Sequence, residues 1–266
     1  MISALSTSKP ILYIDMDNVL VNFRSGINKL SEYEKKEYEG RYDEVPNIFA
    51  KISGVPDGNV NKYWDDVRMK LSPNAIITSK APSMKRLTNQ MLAPYRPYYN
   101  GTTVDIQKLK HSPLNRYSFL SDDLQYLIFE KIQEVIDTGY LKIDPNVAVP
   151  LVIHVGMNFD RALLRLLQLY DFTKAIPKFI IIDNIEDVFS EVECTQLLLI
   201  NSLGFDILIY TPTGYRDLES YIDMCAFESY TMNDFKYDLR IPKFKLPDSV
   251  PQKSGGLFGK FKKKGR

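Results

Sequence analysis

Two short, unbroken apolar runs, Phe179 to Ile182 and Ile207 to Tyr210, are too brief for helices and too continuous for half-exposed strands. They predict two buried parallel strands. Between them Ser190 and Glu193 make an S-x-x-E start signal, Leu197, Leu198, Leu199, Ile200 and Leu203 supply a wide apolar face, and Gly204 stands at the stop. That is one β-α-β unit. Further strands are expected at Ile11–Ile14, over Asn74 to Lys80, and at Val149–Val155 behind Pro150.

Helical spacing appears in Leu124, Leu127, Ile128, Ile132, Val135 and Ile136, from a Ser121 cap to Gly139. It recurs in Leu163, Leu164, Leu167 and Leu169 behind Asn158, around Trp64, Val67 and Leu71, and in Leu218, Tyr221, Ile222 and Phe227. The pattern predicts an α/β, Rossmann-like three-layer sandwich with a mainly parallel sheet and a helical insertion in the first half. Residues 92–117 interleave tyrosines with Arg96, Lys108, Lys110 and Arg116, and are expected to be a surface loop with packed rings.

Composition narrows the function classes. Lysine and arginine number 34 against 33 acids in 266 residues, so no bulk field attracts nucleic acid. No apolar run is long enough to span a bilayer and no signal peptide opens the chain, so a cytoplasmic location is expected. Cys194 and Cys225 fall in expected helices without metal spacing, which suits two unpaired thiols. After Pro247 the chain becomes a basic tail, 247–266, where Lys260, Lys262, Lys263 and Lys264 lie beside Leu257, Phe258 and Phe261. Its expected state is disordered and solvated; weak contact with an anionic membrane surface or docking to a protein partner are the functional alternatives.

Ligands of open α/β sheets bind beyond the carboxyl ends of the strands. Those ends carry Asp183, Asn184, Glu186 and Asp187 after one run, and Thr211, Pro212, Thr213, Gly214 and Tyr215 after the other. Asp183 with Asp187 can share a cation, or Asp187 and Glu186 can simply favour a helix amino end. Asp15 and Asp17, directly past the first strand, need a compensating charge if buried, and a divalent cation is one such charge. His111 and His154 each stand alone; His154 is expected to be a hydrogen-bonded core residue within its strand.

The opening ILYIDMDNVLVNFRSGINKL resembles that of the haloacid-dehalogenase superfamily, in its 5′-nucleotidase-like group, over about residues 1–45. The resemblance implies a Mg²⁺-dependent phosphatase for a small phosphate ester, with Asp15 as nucleophile and Asp17 as acid/base. It further implies Thr78 and a lysine, Lys174 or Lys178, in catalysis, and Asp15, Asp17, Asp183 and Asp187 around the metal. These acids meet only if Ile11–Ile14 pairs beside Phe179–Ile182.

A second likeness covers most of the chain. FAKISGV, NKYWDDV, YDFTKAIPKFIIIDN, NSLGFDILIYTPTGYRDLESYI and FESYTMNDFKYDLRIPKF resemble the bacterial YceG family over about residues 46–266, the α/β region proper being 46–246. That likeness implies a component of a biosynthetic module found with tellurite and toxic-anion resistance, beside TerD- and TelA-type stress proteins. It implies no assigned catalytic residue.

Overall fold

The two apolar runs are adjacent parallel strands, as expected. The computed structural model describes residues 48–72, 75–79, 87–169 and 177–246, and the backbone of 13–14 and 20–21. Asp15, Asp17, Lys174 and the basic tail lie outside the described residues. Five strands form the main sheet: β3 (Phe49–Ser53), β4 (Ala75–Thr78), β5 (Lys178–Ile182), β6 (Asp206–Thr211) and β7 (Glu228–Thr231). Their order is β4-β5-β6-β3-β7, and every pairing is parallel. β1 (Tyr13–Ile14) and β2 (Leu20–Val21) pair antiparallel with each other.

All six residues of β6 are buried. At roughly 1.5–3 kcal/mol for each large apolar side chain removed from water, Ile207, Leu208 and Ile209 make this strand the axis of the sheet. Alternation divides the sheet's side chains between two cores. Phe49, Phe179, Ile181, Ile207 and Ile209 face a thick helical layer, and Ala50, Ile180, Ile182, Leu208 and Tyr210 face the other way.

The thick layer is built from α4 (Asp122–Thr138), α5 (Pro145–Gly156), α6 (Arg161–Leu169) and α7 (Glu191–Ser202). The opposite face is covered by α1 (Val60–Met69), through Tyr63, Trp64 and Val67, and by the extended strap that carries Leu239, Ile241 and Phe244. The short helices α2 (Asn89–Leu92) and α3 (Ile106–Lys110) complete the helical side.

The helix signals worked where caps are local. Ser121 accepts from the Leu124 amide, and α4 ends on Gly139 at φ 63°. Ser190 and Glu193 form the reciprocal capping box of α7, and Gly204 beyond it takes φ 100°. For α6 the capping side chain is Asp160, which accepts from the Leu163 amide at 2.7 Å, rather than Asn158.

Four expectations are corrected. Val149–Val155 is the core of helix α5, not a strand: Asp144 caps it, Pro145 opens it, and seven of its residues are buried on all sides. The close crossing with α4 requires a glycine, since a Cβ on Gly156 would lie 2.4 Å from Ile132 Cγ1. The stretch around Leu218, Tyr221 and Ile222 is a series of turns closed by a 3-10 turn at Met224–Ala226, not a helix. Phe49–Ser53 is a central strand that the apolar pattern did not announce. The helical insertion lies in the middle of the chain, between β4 and β5, and within it residues 92–117 form short helices whose Tyr95 and Tyr117 are core residues.

Candidate functional site

A lysine in the middle of a central strand needs compensation at once, because moving an ammonium out of water costs several kcal/mol. Lys51 occupies that position in β3 and is 1% exposed. Its Nζ donates to the Tyr215 carbonyl at 2.7 Å and to Glu219 Oε1 and Oε2 at 2.9 and 3.0 Å, and it stands 2.7 Å from Asp217 Oδ1. All three partners come from the turns after β6. Asp217 is fully buried; its Oδ1 also accepts from the Leu218 amide at 2.7 Å, and its Oδ2 from the Thr211 hydroxyl at 2.9 Å.

Asp183 closes the site from the neighbouring strand. Its amide donates to the Tyr210 carbonyl at 2.9 Å and its Oδ1 accepts from the Ile185 amide at 3.2 Å. Its Oδ2 is buried and meets no N–H or O–H donor among the described residues. Burial raises the Asp183 carboxyl to about 7, Asp217 pushes the same way, and the Ile185 amide and Lys51 oppose. On the opposite side of the sheet, burial raises the Tyr63 phenol, with Asp66 and then Asp183 adding to it. In α7, burial raises the Cys194 thiol, and Glu193, Asp217 and Glu219 reinforce the effect.

The expected site residues are divided by the sheet. Thr78 ends the edge strand β4, but Lys178 begins β5. Ala75 is opposite Lys178 and Thr78 opposite Ile181. Lys178 therefore lies three residues, about 10 Å of strand, toward the other end. Asp183 is in the site; Asp187 is exposed in the loop before α7. Both flanks of β5 are occupied, by β4 and β6, so Tyr13–Ile14 does not pair there. Among the described residues no group of three or more histidines, cysteines or acids is arranged to hold a metal.

Sequence reasoning missed Lys51, Asp217 and Glu219. The available signal was a lysine inside FAKIS, since a cation within an apolar strand demands acids elsewhere in the chain. His154 sits in α5, not in a strand, with its ring 4.9 Å from that of Tyr95 in an edge arrangement and its Nδ1 unpartnered. Burial, and then Arg116, lower its pKa. Cys194 lies in helix α7 as expected and is buried there, while exposed Cys225 lies in the 3-10 turn rather than in a helix; neither forms a disulfide.

A family profile described as the YceG domain matches residues 24–253, a span that includes all five strands of the sheet. The chain belongs to the YceG family. It is 26% identical over 211 residues to the YceG protein of Bacillus subtilis strain 168, covering 75% of this chain and 38% of that one. It is also 49% identical over 75 residues to a Vibrio phage KVP40 protein named "Putative 5'(3')-deoxyribonucleotidase", covering 26% of this chain and 44% of that one. The chain thus spans less than half the length of each of these relatives. No solved structure matches it significantly. Among the described residues no single helix is long and apolar enough to cross a membrane.

Proposed function

We propose that this YceG-family chain is a component of a bacterial biosynthetic module for tellurite and toxic-anion stress, working in the cytoplasm beside TerD- and TelA-type proteins. The domain on this reading is a Rossmann-like three-layer sandwich whose working surface is the exit end of the sheet. The observation that carries the reading is the family match over residues 24–253. The buried Lys51, Asp217 and Glu219 cluster supports the choice of surface, since it lies where open α/β sheets take their ligands. The test is complementation of a bacterium deleted for its own YceG-type gene and challenged with tellurite. Wild type restores growth and Glu219→Gln weakens the rescue; soluble wild type that restores nothing rejects the reading.

The phage protein's name favours a second reading, a Mg²⁺-dependent phosphatase with Asp15 as nucleophile and Asp17 as acid/base. Its described part fits a metal poorly, because Asp187 is exposed and Asp183 faces Asp217 and Lys51. Hydrolysis of nucleoside monophosphates, with and without Mg²⁺, separates the two. Metal-dependent turnover abolished by Asp15→Asn establishes the phosphatase; none from folded protein removes it.

A further inference from the structure

β3 and β6 are neighbours in the sheet, yet the chain leaves them toward opposite faces. From β3 it turns into α1, whose Tyr63, Trp64 and Val67 belong to one core; from β6 it enters turns whose Leu218, Ile222 and Phe227 belong to the other. In an open α/β sheet such a divergence opens a crevice beyond the strand ends, and ligands bind there. Here the chain itself lies across that place. The Met232 amide donates to the Ser53 carbonyl at 2.7 Å, the Val55 amide to the Asp234 carbonyl at 2.6 Å, and the Lys236 amide to the Pro212 carbonyl at 2.9 Å. Farther on, Asn184 Nδ2 donates to the Leu239 carbonyl. Residues 232–238 thus run from the exit end of β3, over that of β6, to that of β5.

Two glycines let the segment come so close. A Cβ on Gly54, at φ 86°, would lie 2.7 Å from the Asp234 carbonyl oxygen, and one on Gly214, at φ 71°, would lie 2.2 Å from Phe235 Cε1. Bare backbone of this kind is what a bound molecule needs for close approach. The Phe235 ring lies against Gly214 while remaining 46% exposed.

We infer that residues 232–238 are a lid on this crevice, with Phe235 as its plug, and that the lid lifts as one unit while the sheet stays folded. Among the described residues none of 232–238 places a side chain in either core, whereas Leu239, Ile241 and Phe244 just beyond do. A segment held by main-chain bonds over the surface, without buried apolar anchors, opens at far lower cost than the sheet beneath it. Its two ends are fixed, by the pairing of β7 with β3 on one side and by that apolar anchor on the other. Asp238, at the junction with the anchor, holds φ 52°, in the left-handed region that side chains disfavour, and lifting relieves that strain.

The inference rests on the exit end being the working surface, but its test uses the protein alone: failed rescue under tellurite leaves the lid standing, and a failed lid leaves rescue untouched. Amide exchange is measured residue by residue in native buffer and in dilute urea. Gly54 and Val55 are consecutive, yet the Gly54 amide donates to Thr211 in the sheet and the Val55 amide to the lid. Val55 and Lys236 are expected to share one degree of protection, insensitive to dilute urea and at least about a hundredfold below that of Gly54. Phe235→Ala lowers their protection together by about tenfold, and Asp238→Gly raises it by about threefold, with Gly54 unchanged in both. Val55 protected as strongly as Gly54 in wild type overturns the lid, as do unrelated values for Val55 and Lys236; a Phe235→Ala protein with both amides unchanged overturns the plug.

Discussion

β5 and β6 are adjacent and parallel, yet the two ends of this pair treat a buried aspartate in opposite ways. At the entry end Asp206 is 2% exposed, and its Oδ1 accepts from the Ile48 amide at 3.1 Å, clasping the starts of β6 and β3 together. Asn201 seals the same end by donating to the carbonyls of Ile48 and Phe205. At the exit end Asp183 is equally buried, but one of its oxygens has no donor. Burial is therefore not the difference between a structural acid and a poised one; the supply of donors is.

The largest way to break this contrast is Lys51→Met. It strands Asp217 without its cation and is expected to cost about 3–5 kcal/mol in urea unfolding. Adding Asp217→Asn to that variant returns part of the loss, because the uncompensated charge is gone.

Next comes the pH dependence carried by Asp183. Its native carboxyl is raised to about 7 while the unfolded one stays in the ordinary range, so the native state binds the proton more tightly. Stability contributed by that proton is complete below the unfolded value, declines as pH rises toward about 7, and is absent above it. Each tenfold difference in proton affinity between the native and unfolded chains is worth about 1.4 kcal/mol. Unfolding free energies measured across this range show the decline in wild type, and Asp183→Asn flattens it, becoming the more stable protein on the alkaline side.

The smallest effect is at the entry end, where Asp206→Ala leaves the Ile48 amide unpaired. It is expected to destabilise by about 1–3 kcal/mol. Opposite signs for the two aspartates at alkaline pH are the sharpest form of the comparison; equal losses from both variants dissolve it.

What was legible in the sequence follows from how local each cause is. The unit of β5, α7 and β6 announces itself through two apolar runs and a capping box, all within about forty residues of chain. The exit-end position of Asp183 follows from the same pattern. β3 was hidden because Lys51 interrupts its apolar run, and the reason a lysine can stay there lies at Tyr215, Asp217 and Glu219, more than 160 residues later. Helix α5 misled for the opposite reason: VAVPLVIHV has strand composition, and burial on every side overrides that preference. Lys178 was plausible by order along the chain and is excluded from the exit end by register alone. The acids Asp15 and Asp17 remain an expectation from resemblance, outside the described residues.

The position of β3 also sets a timetable for the newborn chain. Phe49 pairs with Ile207, 158 residues downstream, and β3's other neighbour, β7, emerges later still. At ribosomal rates of roughly 5–20 residues per second, that interval lasts on the order of ten to thirty seconds. Throughout it Lys51 has none of its acids, and Tyr63 and Trp64 have no Tyr210 or Phe244 to pack against. The first strand of the main sheet to be made is thus among the last to be completed, and its half-finished edge is the surface a chaperone would have to guard during translation.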